Sequence, residues 1–181
     1  MRIIGSLTLL IALLLLGACG DDNVVAYSET VSTKLSGIKA GDVDQGSASE
    51  QKNINTESKN PYGAFLQTAR SRLGRDPAAI EVTSIIVRVD GDSKNVIAID
   101  QVLGDVEVFF ADSQTTIPIG HVDGPEGSSI VIPVDEVDLE PIMAAMLGGD
   151  FKVGVRGNAV ASPPAEFELK LTLDVRFRAV D

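Results

Sequence analysis

Glu166-Phe167-Glu168-Leu169-Lys170-Leu171-Thr172-Leu173-Asp174-Val175-Arg176-Phe177-Arg178-Ala179 alternates polar and apolar residues along its whole length. Successive strand side chains point to opposite faces, so Phe167, Leu169, Leu171, Leu173, Val175, Phe177 and Ala179 would share one face. The charged residues and Thr172 take the other. One dry face and one wet face is what an antiparallel sheet presents when it covers a core on one side only. Burying the large residues at about 1.5–3 kcal/mol each supplies on the order of 10 kcal/mol before entropy is charged against it. The segment therefore predicts the fold class: mainly β, an antiparallel β-sandwich of immunoglobulin-like or related type, with two short helices.

Working back from it, Phe151, Val153 and Val155 alternate with Lys152, Gly154 and Arg156. With a turn over residues 161–165 this reads as the first arm of a C-terminal hairpin. Residues 106–111 predict another strand, with Val106, Val108 and Phe110 on one side. Residues 117–122 predict a strand containing Pro118, which cannot donate to a ladder and so belongs at an edge or a bulge. Residues 130–134 continue the pattern. Residues 80–89 are β-branched on both faces, as a central strand would be. Val96, Ile97 and Ile99 suggest a short edge strand or a packed loop. Gly104-Asp105-Val106-Glu107-Val108 is echoed by Gly149-Asp150-Phe151-Lys152-Val153, either a trace of duplication or coincidence.

Two helices punctuate these strands. Asn60-Pro61 is a start signal, since Asn caps free amides and Pro at the first helical position forfeits no hydrogen bond. Phe65, Leu66, Ala69 and Leu73 then share a stripe, and Gly74 stops the helix, which spans residues 61–73. A second helix over residues 139–147 has Asp138 as its cap, Ile142, Met143, Met146 and Leu147 as its apolar face, and Gly148-Gly149 as its stop.

Toward the N-terminus the pattern weakens. Val25, Tyr27, Val31 and Leu35 alternate with polar residues, predicting a first strand. Residues 40–60 carry only Val43 and Ile54 as large apolar residues and read as a flexible loop. The expected organisation is a leader over residues 1–18, a tether with a first strand and loop over 19–60, and the sandwich over 61–181.

The chain opens with Met1-Arg2 and a 14-residue stretch from Ile3 to Leu16 in which only Gly5, Ser6 and Thr8 interrupt the apolar residues. That is short of the roughly 20 residues needed to cross a bilayer, and it has the layout of a secretory signal. It ends in Leu16-Gly17-Ala18-Cys19, which resembles the lipobox of bacterial lipoproteins. The resemblance covers residues 1–19 alone. It implies thioether attachment of lipid to Cys19, cleavage after Ala18, and membrane anchoring in the cell envelope. In enteric-type lipoproteins Asp directly after the cysteine favours inner-membrane retention; here Gly20 follows and the first acid is Asp21, so the resemblance favours the outer membrane in a Gram-negative host.

The chain has 15 basic and 26 acidic residues, for a formal charge of −11. Removing residues 1–18, which hold Arg2 and no acid, takes it to −12. Such a surface repels phosphate backbones and disfavours nucleic-acid partners. Cys19 is the sole cysteine, so no disulfide is expected within the chain. His121 is the sole histidine, which rules out multi-histidine metal sites and reads as a surface or half-buried strand residue. Asp90 and Asp92, in Asp90-Gly91-Asp92-Ser93-Lys94-Asn95, faintly match the start of a calcium loop. They depart from it at Asn95 and Gln101, and a plain turn fits as well. Asp135, Glu136, Asp138 and Glu140 form a second acidic cluster, of the kind a helix N-terminus prefers. Arg70, Arg72 and Arg75 form a basic cluster, either a docking point for an acidic partner or cations at a helix C-terminus.

These features lead to a non-enzymatic, lipid-anchored structural or interaction module that needs no cofactor, with the membrane and an envelope protein as partners. A carrier of a small apolar ligand or lipid is the alternative. A carboxylate-based hydrolase comes third, because 4% aromatic residues and no Trp are poor material for a sugar-stacking cleft.

Overall fold

The computed structural model of the chain describes residues 25–56, 60–134 and 137–181. Ten strands follow in order: β1 (Ala26–Lys34), β2 (Ile38–Lys39), β3 (Ser47–Ile54), β4 (Ala79–Val89), β5 (Asp105–Ala111), β6 (Thr116–Asp123), β7 (Ser129–Ile132), β8 (Phe151–Asn158), β9 (Glu168–Leu169) and β10 (Leu171–Val180). Helix α1 (Pro61–Leu73) lies between β3 and β4, and α2 (Glu140–Gly148) between β7 and β8. Two four-stranded sheets form, ordered β1-β10-β4-β7 and β3-β8-β5-β6, with β2 and β9 as a small separate pair. All pairings are antiparallel. The architecture is an antiparallel β-sandwich with two helices.

The eight long strands pair in nested fashion: β5 with β6, β4 with β7, β3 with β8 and β1 with β10. The chain is in effect one long hairpin with its apex in the β5–β6 turn, rolled up so that β10 also meets β4 and β8 also meets β5. Within the sandwich class this is the arrangement of a jelly roll. At the apex Asp112 accepts hydrogen bonds from the Gln114 and Thr115 amides at 2.8 and 2.6 Å. These two bonds hold its carboxyl below the usual carboxylate range.

The apolar face of the opening segment behaves as its alternation predicts, although the segment divides into β9 and β10 in separate sheets and Thr172, expected on the wet face, is buried. All seven of its inward residues, Phe167 through Ala179, are at most 2% exposed. Its neighbour is different from the one expected, however. β8 pairs with β3 and β5 in one sheet, whereas β10 pairs with β1 and β4 in the other, so the two strands do not form a hairpin. Alternation reports which face is buried and carries no information about which strand lies alongside. β5 and β8, whose openings echo each other in sequence, are antiparallel neighbours in one sheet.

The loop expected over residues 40–60 is likewise corrected. Ser47–Ile54 forms β3, an edge strand paired with β8 at eight positions. Only Ala48 and Ile54 of β3 are buried, so the strand is held by its backbone ladder and carries little apolar signal. The strand expected near the N-terminus is β1, paired with β10 from Ala26↔Val180 to Lys34↔Thr172. The sandwich thus begins at Ala26, well before the expected boundary at residue 61.

Pro118 sits in β6, at a sheet edge, and β6 also carries a bulge: Val108 faces Gly120 while Phe109 faces Pro118. Residues 96–99 enter a packed loop that ends in a single 3₁₀ turn, Ile99–Gln101. Helix α1 spans the expected residues. Asn60 Oδ1 accepts from the Tyr62 amide at 3.0 Å and Gly74 closes the helix in the left-handed region. α2 begins one residue late, at Glu140, with the Asp138 carboxylate accepting its amide at 3.0 Å and Gly149 as the left-handed cap.

α1 inserts Tyr62, Phe65, Leu66 and Ala69 into the core. The Tyr62 ring meets Phe151 of β8 and Phe177 of β10 edge-on, each at 4.9 Å between centroids. Phe110 of β5 closes the cluster against both. The sheets are therefore joined by aromatic contact where α1 closes the end of the sandwich. The Tyr62 hydroxyl donates to the Met146 carbonyl of α2 at 3.0 Å, which brings the second helix to the same end. Burial pushes that hydroxyl's pKa up.

Candidate functional site

β4 is paired with β10 over its whole length, Ala79 to Val89, but with β7 only from Ile85 to Arg88. Among the described residues no strand covers the other side of Ala79–Ser84. The β-bulge at Thr83, where Arg176 faces Ser84 and Phe177 faces Val82, falls just where the second partner ends. Bulges re-aim a strand and terminate pairing, which accounts for where β7 stops.

The space beside this half of β4 is an open groove of about 460 Å³. Val134, Val137, Leu139 and Met143 form its apolar wall, opposite Ile80 and Val82. Glu81, Asp138 and Glu140 supply its acidic groups. The Ile80 amide points into it and donates to the Met143 sulfur at 3.3 Å, a weak acceptor for a backbone donor. Glu81 is paired with Arg178 at 2.8 Å. The groove thus combines open strand backbone, an apolar wall and negative charge.

A second cluster comes from the β5–β6 hairpin. The register sets Asp105 opposite Asp123 and Glu107 opposite His121, and the hairpin brings His121 Nε2 to 3.3 Å from Asp105 and 3.7 Å from Asp123. The ligand atoms of the three lie within 4.8 Å of one another. An imidazole with two carboxylates is a donor set for a transition metal. Asp105, however, also accepts from the backbone amide of Asn158 and from its Nδ2 at 3.2 Å, and Asp123 is 91% exposed. Sequence reading placed His121 correctly on a strand but did not group it with Asp105 and Asp123. The hairpin register was the signal that would have joined them.

The residues singled out in sequence fall as follows. Leu16, Gly17, Ala18 and Cys19 lie outside the described residues, as do Asp135 and Glu136. Asp90 is engaged by Lys34 at 2.9 Å, the Asp92 amide at 3.1 Å and the Thr172 hydroxyl at 3.1 Å. The Lys34 bond is the chief reason its pKa is lowered to about 2. An ammonium thus stands where a calcium ligand set would need an open position, and the loop acts as a tie between β1, β4 and β10. Asp92 is exposed. In the basic cluster Arg70 bonds Asp76 at 2.6 Å and Arg75 bonds Asp181, leaving Arg72 as the member with no ion pair among the described residues. No helix among the described residues is long and apolar enough to cross a membrane.

No family model and no curated relative matches the chain. A chain from a solved structure of Desmodium yellow mottle tymovirus is similar at 10% identity with a TM-score of 0.33, covering 86% of this chain and 88% of that one. A likeness of that size carries no argument about function.

Proposed function

We propose that the protein is a lipid-anchored, non-enzymatic interaction module of the bacterial cell envelope, held on the membrane through acylated Cys19. The observation that carries this reading is the uncovered edge of β4 beside its apolar groove. A strand edge that no other strand pairs is a ready template for another chain, and here an apolar wall lies alongside to add selectivity. The lipobox supports the anchor, since several acyl chains at about 0.8 kcal/mol per buried methylene hold a protein stably where one does not. Gly20 after the cysteine favours the outer membrane over the inner.

β1 begins seven residues after Cys19. At about 3.3–3.6 Å per residue the intervening chain reaches about 25 Å at most. Anchoring would therefore keep the Ala26 end of the sandwich close to the bilayer. The buried side chains packed into one core cluster favour an interaction module over a carrier of an apolar ligand held there. Metabolic labelling with palmitate tests the anchor. The wild-type chain should incorporate label and partition into detergent. Cys19→Ala should lose label and either accumulate uncleaved or appear in the soluble fraction, and a mutant that labels and fractionates like wild type overturns the reading.

A further inference from the structure

We propose that the Ala79–Thr83 edge of β4 takes up an extended segment of a partner protein as an added strand, and that this segment alternates apolar residues with Lys or Arg. The inference rests on the interaction-module reading and names the partner's chemistry. An added strand would lie about 4.8 Å from β4 in the hydrogen-bonding direction. Its carbonyls would replace the Met143 sulfur as acceptor for the Ile80 amide, exchanging a weak acceptor for a strong one.

Strand geometry then sets the pattern of the incoming residues. Alternate side chains of an added strand point to opposite faces. One set meets the wall of Val137, Leu139 and Met143, and the other stands in water among the acidic groups of the groove. Glu81 already has Arg178, whereas Asp138 and Glu140 have no ion pair among the described residues. Their charge, on a chain of net −11, selects a basic segment and repels an acidic one. It disfavours a second copy of this chain, which would set the same acids against each other. It also disfavours the chain's own residues 20–24, which carry Asp21 and Asp22.

The test is a titration of the full-length chain in detergent micelles with a short peptide of alternating valine and lysine, followed by calorimetry and by amide exchange at Ile80 and Val82. Saturable binding with new protection at these amides is expected, and a matched valine–glutamate peptide should not bind. Asp138→Asn combined with Glu140→Gln keeps an acceptor oxygen for the α2 amide and should weaken the lysine peptide about tenfold. Absence of binding by the lysine peptide overturns the proposal, as does equal binding by the glutamate peptide or unchanged affinity in the double variant. Protection of Val82 in the free monomer would show that the chain covers its own edge, and protection that appears with dimerisation would show a second copy there; either result overturns it. The same titration on Cys19→Ala separates the two readings, because binding retained by an unlipidated chain leaves the groove standing whatever becomes of the anchor.

Discussion

Asp90 shows how one side chain can look like a ligand and serve as a tie. Its carboxylate joins Lys34 of β1 to Thr172 of β10 across the turn that follows β4, and its pKa is lowered to about 2, first by the Lys34 bond. A group whose folded pKa lies below its unfolded value contributes stability that is complete above the unfolded value and lost as pH falls through the folded one. Thermal melts should thus show a falling midpoint from about pH 4 toward about pH 2. Glu168, held low chiefly by Lys94, and Asp112 share in that slope. Asp90→Asn should flatten it in part and lower the midpoint at neutral pH; an unchanged acid slope would remove Asp90 from the tie. Of the residues picked out in sequence, Asp90 and Arg75 carried a correct sign of charge and an unreadable partner. Their counterparts, Lys34 and Asp181, lie 56 and 106 positions away, a distance no local pattern spans.

The elements most legible in the sequence were those whose stabilisation is local or one-sided. α1 announces itself through Asn60, Pro61 and Gly74, and the buried face of β10 through strict alternation. β3 was illegible because an edge strand held by backbone pairing needs little apolar content, so its composition matches a loop. The groove was legible only in pieces: residues 80–89 read as a strand apolar on both faces, but the point where β7 stops pairing with β4 depends on a bulge that nothing local announces. The contact between α1 and α2 gives a prediction at this scale. Tyr62→Phe removes the hydroxyl that serves the Met146 carbonyl and keeps the ring that joins the sheets. The Met146 carbonyl keeps the Gly149 amide as a donor at 3.0 Å, so the variant forfeits one net hydrogen bond, about 0.5–1.5 kcal/mol. Urea denaturation should show a loss of that size with an unchanged slope, and a loss below about 0.5 kcal/mol would mean that the helices are docked by packing alone.

Seen whole, the nested pairing makes sequence separation grow outward from the β5–β6 turn, from a short hairpin to the pairing of Ala26 with Val180. Loop-closure entropy must be met before distant contacts repay it, so folds of this kind are slow, in the millisecond to second range. The inner pairs should organise first. In φ-value measurements Ile119→Val, in the innermost hairpin, should give about 0.5 or more, and Val31→Ala, in the outermost pair, about 0.3 or less; the reverse order would place the nucleus at the chain ends. The same outermost pair has a mechanical side. Ladder bonds run perpendicular to the strands, so a pull on residue 25 along the axis of β1 strains at once the bonds spread over all nine β1–β10 residue pairs, and they share the load. A sandwich tethered at that end and tugged by whatever it holds would resist by shear, its first strand giving way as a unit or holding as one.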